Sequence, residues 1–342
     1  MGIFCGLCLV LFASDGEHTT LSRYESSEIH MGSRFRVVCY AAETEQLRNA
    51  LALAFSRIAE LDAMLSDYQS NSELNRLSRT APSDRFVPIS SELGEVLRTS
   101  RWVSCRSAGA FDVTVGPLTK LWRRARRRKQ LPSRARLAQA LEAVDFHAVR
   151  LGAGSKSARL LRRGMRLDLG GIAKGFAVDE ALRCLRANGI QRALVDGGGD
   201  IAVGEPPPGR LGWSIAISEL DPDEEPQRFL LLRNQAVATS GDARQYVEID
   251  GQRYSHIVDP RTGLGLQHRS RVTVVAASGM LADSMASAVS VLGSQAGVAL
   301  VNQMPGMETQ VTTLRLAKLV HRESRGFCRL VDPTEGFANG EQ

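Results

Sequence analysis

The sequence predicts an α+β protein with mixed, largely antiparallel sheets packed against helices. Three observations carry that class. Apolar runs of strand length outnumber the helical patterns, and several lie close enough in sequence to pair as neighbours. Asp250-Gly251 stands between two alternating runs in "YVEIDGQRYSHIV", a strong short-range hairpin signal. "LGAGSKSARLL" only approaches a dinucleotide fingerprint: Ser157 stands where a third glycine belongs after Gly152 and Gly154, and a strand rather than a long helix follows. The pattern therefore argues against a doubly wound parallel sheet.

In chain order, a strand is expected over 34–41 and a helix over 45–65. A helix over 90–106 takes Ser90 or Ser91 as its N-cap, and another over 134–144 follows Pro132-Ser133. Strands over 145–151 and 158–169 lead to a helix over 172–188. Its apolar face is Ile172, Phe176, Ala177, Ala181, Leu182 and Leu185, and Asn188-Gly189 supplies the stop. Further strands are expected over 192–203, 212–218, 228–238, 244–258 and 271–277, before a last helix over 279–292.

With 342 residues, 43% hydrophobic and 23% charged, the chain can bury a sizeable core. Its net charge of +6 comes from one stretch, because "RRARRRK" from Arg123 to Lys129 holds six basic residues. Nucleic acid is not an expected partner: aromatics are 6%, and no recognised nucleic-acid motif accompanies the charge. The basic run reads either as a solvated surface loop or as a dock for an acidic acceptor protein. Six scattered cysteines, at 5, 8, 39, 105, 184 and 328, lack disulfide-framework or zinc spacing and read as buried thiols. Ile3 to Ala13 is an apolar run of signal-peptide length with no preceding Lys or Arg. Export would make the protein periplasmic or membrane-associated; without it the protein is cytoplasmic.

Chemistry concentrates in three stretches. In "RLDLGGIAKGF" a carboxylate, Asp168, interrupts an apolar run, Gly170 and Gly171 make a strand-to-helix corner, and Lys174 falls in the first helical turn. A cation there opposes the helix macrodipole unless an anion binds nearby. The plain alternative is a glycine turn with a solvated lysine. In "GMLADSMASAVSVLG" Asp283 is the only charge on an otherwise apolar helix, with Ser287 one turn on, so two hard oxygens share a face. That pair suits Mg²⁺ completed by water and phosphate; an Asp bonded to a neighbouring loop is the alternative. His256 closes the predicted hairpin, as a general base or as a satisfied structural histidine.

The ordered set "MGSRFRV", "LSDYQSNSELNRLS", "GAFDVTVGPLTKLW", "LDLGGIAKGFAVD", "ALVDGGGDI", "AVATSGD", "YSHIVDPRTG" and "VTVVAASGMLADSMASA" resembles the ApbE family, the FAD:protein FMN transferases. The resemblance implies an N-terminal segment over 1–30, a single catalytic domain over 31–310 and a C-terminal extension over 311–342. It implies transfer of the FMN moiety of FAD, with Mg²⁺, onto a Ser or Thr hydroxyl of an acceptor flavoprotein, such as a subunit of a membrane redox complex, with release of AMP. By the same resemblance Asp283, Ser287 and the Gly171 carbonyl are metal ligands. Met31, Tyr68, Ala110, Phe111, Asp112, Asp168, Lys174 and Ile257 are FAD contacts, and His256 is catalytic. Ser287 stands where the family usually has Thr, and Gly171 where Ala is common. A Mg²⁺-dependent FAD pyrophosphatase and a non-catalytic flavin-binding protein are the alternatives.

Overall fold

The computed structural model describes residues 21–333 except 219, 222–224, 227, 242–244 and 316–317. The apolar run from Ile3 to Ala13 lies outside the described residues. The chain opens with strands β1 (Ser22–His30) and β2 (Ser33–Ala41), then helices α1 (Glu45–Leu65) and α2 (Glu73–Ser78) and strand β3 (Val87–Pro88). Helices α3 (Ser91–Arg106), α4 (Gly116–Arg128) and α5 (Arg134–Glu142) precede β4 (Val149–Leu151) and β5 (Ser157–Leu160). Helix α6 (Ala173–Ala187) leads to β6 (Ala193–Asp196), β7 (Asp200–Val203), β8 (Trp213–Ile217), β9 (Arg228–Leu232) and β10 (Ala236–Gly241). Strands β11 (Tyr246–Ile249), β12 (Gln252–Ser255) and β13 (Ser270–Ala276) follow, then α7 (Gly279–Val301), β14 (Glu308–Arg315) and β15 (Lys318–Glu323).

Eight strands form one antiparallel sheet in the order β1-β2-β6-β7-β10-β13-β14-β15. The period-2 alternation of its strands serves two layers. Phe35, Val37 and Cys39 of β2 and Val272, Val274 and Ala276 of β13 pack into the main core with α1, α6 and α7. Val38, Val237 and Val275 point the other way, under Trp213, Ile215 and Leu230 of the β8–β9 hairpin and Phe327. A third cluster joins Leu118, Trp122 and Ala140 of α4 and α5 to Val247, Ile249 and Tyr254 of the β11–β12 hairpin.

Helix α7 is long and apolar enough to cross a membrane by length and composition. Here it is a core helix, packed on α6, β10 and β13. Its first stretch ends near the expected 292, where Gly293 (φ 79°) breaks the helix before a second stretch runs to Val301. The Asp250-Gly251 hairpin is present, with φ of 52° and 74° at its two turn residues.

Several expectations are corrected. The strand over 192–203 is two strands around the Gly197–Gly199 turn, and that over 228–238 divides at Arg233-Asn234. The strand over 158–169 ends at Leu160; a turn with Gly164 at φ 78° follows, and the segment bearing Asp168 is irregular, with a single parallel bridge from Val115 to Arg166. The basic run is the second half of α4 rather than a loop, because Leu118, Trp122 and Ala125 give that helix a buried face. The sheet also takes in strands over 22–30 and 308–323, which the expected strands did not include. Cys39 is buried as expected, but Cys105 and Cys328 are exposed.

Candidate active site

Two charged clusters flank the corner between Asp168 and Lys174. The first is buried where α6 and α7 begin. Their first turns touch backbone to backbone: a Cβ on Gly175 would lie 2.1 Å from the Gly279 carbonyl oxygen. The Asp179 carboxylate of α6 accepts from the N–H groups of Gly279 and Met280 at 2.7 and 2.9 Å, capping α7. In return, Asp283 of α7 accepts from the Gly175 N–H at 3.2 Å. Lys174 Nζ donates to Asp200 Oδ2 at 2.6 Å. Asp200 opens β7 after the three-glycine turn, which Asp196 fixes by accepting from the Gly198 and Gly199 N–H groups at 2.9 and 3.0 Å.

Burial sets the electrostatics of this cluster. It pushes the carboxyls of Asp200 and Asp283 above their ordinary range, and the charge of Asp200 raises Asp283 further while Lys174 opposes both shifts. Burial works against the Lys174 charge, but Asp200 and Asp283 outweigh it and hold the ammonium above its usual range. The solvated reading of Lys174 does not hold, for its partner is the Asp200 carboxylate rather than bulk solvent. Ser287 lies half-buried one turn beyond Asp283, beside the glycine corner. A Cβ at Gly171 would sit 2.7 Å from Ser287 Oγ, so the missing side chain leaves a cradle next to that hydroxyl.

The second cluster adds an exposed aromatic ring to its ion pairs. Asp168 Oδ2 accepts from Thr119 Oγ1 at 2.7 Å and from Arg123 Nη2 at 3.1 Å, while Oδ1 accepts from the Gly170 N–H at 2.9 Å. Arg123 also pairs with Asp67 and lies 4.1 Å over the ring of Tyr68, which is 76% exposed. Burial raises the Asp67 carboxyl, the Asp168 charge adds to that, and Arg123 opposes it. The first arginine of the basic run is therefore part of the site's wall.

His256 follows β12. Its Nδ1 lies 3.0 Å from the carbonyl oxygen of Gln245, which also accepts the His256 backbone N–H at 2.9 Å. A carbonyl only accepts, so this contact places a ring proton on Nδ1. Ile257 packs on Ala110, Leu266 and Val291, tying this segment to α7. Phe111 Cε2 would lie 3.5 Å from a Cβ at Gly171.

Two expected FAD contacts are held by the protein itself. Both Asp112 oxygens face the 114 and 146 backbone, accepting from Thr114 N and Oγ1 at 2.7 Å each and from Phe146 N at 3.0 Å. Met31 (φ 49°) sits in the β1–β2 turn, where its N–H donates to Asp62 at 2.8 Å. Sequence reasoning missed Asp200, Asp179, Arg123, Thr119 and Asp67. The available signals were the second aspartate of "DGGGD" and the placement of Thr119 and Arg123 four residues apart on one helix face.

Fold and site together define an α+β protein with a buried lysine–carboxylate centre beside an open arginine–tyrosine wall. The ApbE family profile matches residues 31–311, and the chain belongs to that family. It is 32% identical over 324 residues to the FAD:protein FMN transferase of Treponema pallidum, covering 90% of this chain and 88% of the relative. It is 34% identical over 256 residues to that of Vibrio cholerae, covering 72% and 75%. Among solved structures, the flavinyl transferase ApbE of Pseudomonas stutzeri in its apo form superposes with a TM-score of 0.80 at 28% identity, covering 93% of this chain and 98% of that one.

Proposed function

We propose that this protein is a Mg²⁺-dependent FAD:protein FMN transferase, which moves FMN from FAD onto a Ser or Thr hydroxyl of an acceptor flavoprotein through a phosphoester bond and releases AMP. Flavin transfer is the activity its relatives are named for. The observation that carries the reading is the oxygen-lined cradle at the start of α7. Asp283 keeps lone pairs beyond its one backbone bond, and Ser287 Oγ borders the space that Gly171 leaves open. Among the described residues no three His, Cys, Asp or Glu side chains gather as a metal cluster. One carboxylate with neutral oxygens fits Mg²⁺, which relies on phosphate and water for its remaining ligands. Asp283, Ser287 and the Gly171 carbonyl would hold it, and when bound it supplies charge compensation at the phosphate oxygens.

The protein's own groups do the rest. Lys174, held charged by Asp200, offers a cation to the pyrophosphate at the same corner. Tyr68 presents an exposed ring for stacking, with Arg123 on its other side. His256 Nε2 takes the proton of the acceptor hydroxyl as it attacks the FMN-side phosphorus, while Nδ1–H stays on the Gln245 carbonyl. The deciding experiment incubates the protein with FAD, Mg²⁺ and candidate flavoprotein subunits and looks for covalent in-gel flavin fluorescence. FMN and AMP released with no labelled protein would favour a pyrophosphatase; FAD bound and intact would favour a plain flavin carrier.

A further inference from the structure

The basic run is only partly absorbed by the site. Arg123 turns inward, but Lys120, Arg124, Arg127 and Arg128 share the exposed face of α4 at spacings of four, seven and eight residues from Lys120. Arg124, Arg127, Arg128 and Lys129 are exposed, as are Arg134 and Arg136 in the first turn of α5. Among the described residues none of these side chains forms an ion pair.

Helix stability does not account for the arrangement. Cations in the last turn of α4 suit its dipole, but those opening α5 oppose theirs, and like charges four residues apart repel. The ledge is also firmly joined to the histidine segment. Trp122 Nε1 donates to the Gly263 carbonyl at 2.7 Å and its ring meets Tyr254 at 5.1 Å, two residues before His256. A molecule seated on the outer face of α4 is thus held in fixed relation to both His256 and the Arg123–Tyr68 wall.

We infer that the α4–α5 ledge docks an acidic surface of the acceptor protein beside its hydroxyl-bearing segment; this rests on the transferase reading. A membrane is the less fitting partner, since the ledge carries one markedly exposed large apolar side chain, Leu131, and cations otherwise. Complementary charge of this kind speeds encounter and fixes orientation, and it is screened by salt.

The test compares two synthetic peptides sharing one central threonine, flanked by Asp and Glu in one and by Asn and Gln in the other. They are offered to the wild type and to an Arg124→Gln/Arg127→Gln/Arg128→Gln variant. The expected result is about tenfold higher kcat/KM for the acidic peptide with the wild type, a preference lost in the variant and at high salt. FMN release from FAD without peptide stays unchanged in the variant. Anisotropy of the labelled acidic peptide reads docking even where no flavin moves, which separates failure of docking from failure of the transferase reading. Equal binding and use of both peptides by both proteins would overturn the inference. So would variant-sensitive binding to phosphatidylglycerol vesicles without peptide discrimination, which would assign the ledge to lipid.

Discussion

The two charged clusters flanking the glycine corner are built from similar parts and differ in how their carboxylates are held: Asp200 and Asp283 accept one bond each, whereas Asp168 accepts three. Around Lys174 a single ammonium faces Asp200 and Asp283, both nearly excluded from water. Around Arg123 a guanidinium faces Asp67 and Asp168, with an open aromatic ring on one side. The Lys174 cluster, whose carboxylates have one bond each, is exposed to large losses if one member is removed, whereas the further bonds of Asp168 moderate such a loss around Arg123. Under the proposed transfer, the first would compensate charge at the phosphates and the second would capture the ligand.

The strongest way to break this contrast is Asp283→Ala. It is expected to lower FMN transfer by about 10²- to 10³-fold or more, the range for removing one group that serves developing charge. FAD binding, followed by flavin fluorescence, should persist; loss of binding with the rate at saturation retained would reverse the assignment. Next comes Lys174→Gln, which leaves Asp200 buried without its partner and should cost about 3 kcal/mol in urea unfolding. A variant as stable as the wild type would mean that the pair is not a buried one in solution.

Arg123→Gln sharpens the comparison from the other side. Stability should change by about 1 kcal/mol, because Asp168 keeps its bonds to Thr119 Oγ1 and the Gly170 N–H, while FAD affinity falls by about fivefold through the loosened Tyr68 ring. Calorimetric titration with FAD beside thermal melts would separate the two effects. The smallest expected effect concerns pH. Burial pushes the Asp179 carboxyl up to about 6 from an ordinary 3.8, so the folded protein holds that proton more tightly than the unfolded chain. Its contribution to stability is present below pH 3.8 and lost as pH rises through about 6. Asp179→Asn should flatten that part of the pH profile of stability; an unchanged slope would place the titration elsewhere.

Much of this was legible in the sequence where local pattern and tertiary role agree. Helices α1, α3 and α6 fall within a residue or so of their expected bounds because capping residues and an apolar stripe coincide, as at Ser90, whose Oγ accepts from Leu93 N. Strand β1 was missed because "SRYESSEIH" is a largely exposed edge strand with little to bury. Helix α4 was missed because its charge run outweighed Leu118 and Trp122 in a local reading. Of the site, Asp283 and Ser287 could be paired by helical spacing alone. The Lys174–Asp200 ion pair could not, for its partners lie 26 residues apart and meet only through the sheet.

The contact between Gly175 and Gly279 has a bearing on how variation in this protein should be read. Neither residue has chemistry to offer, yet each fits against the other's backbone with no room for a methyl group. One is flanked by Lys174 and the other lies four positions before Asp283, so a side chain at either would pry apart two charged residues carried on different helices. A clinical or evolutionary survey that ranks positions by side-chain function would pass over both. Two positions with no chemistry of their own thus fix how closely the two helix starts approach.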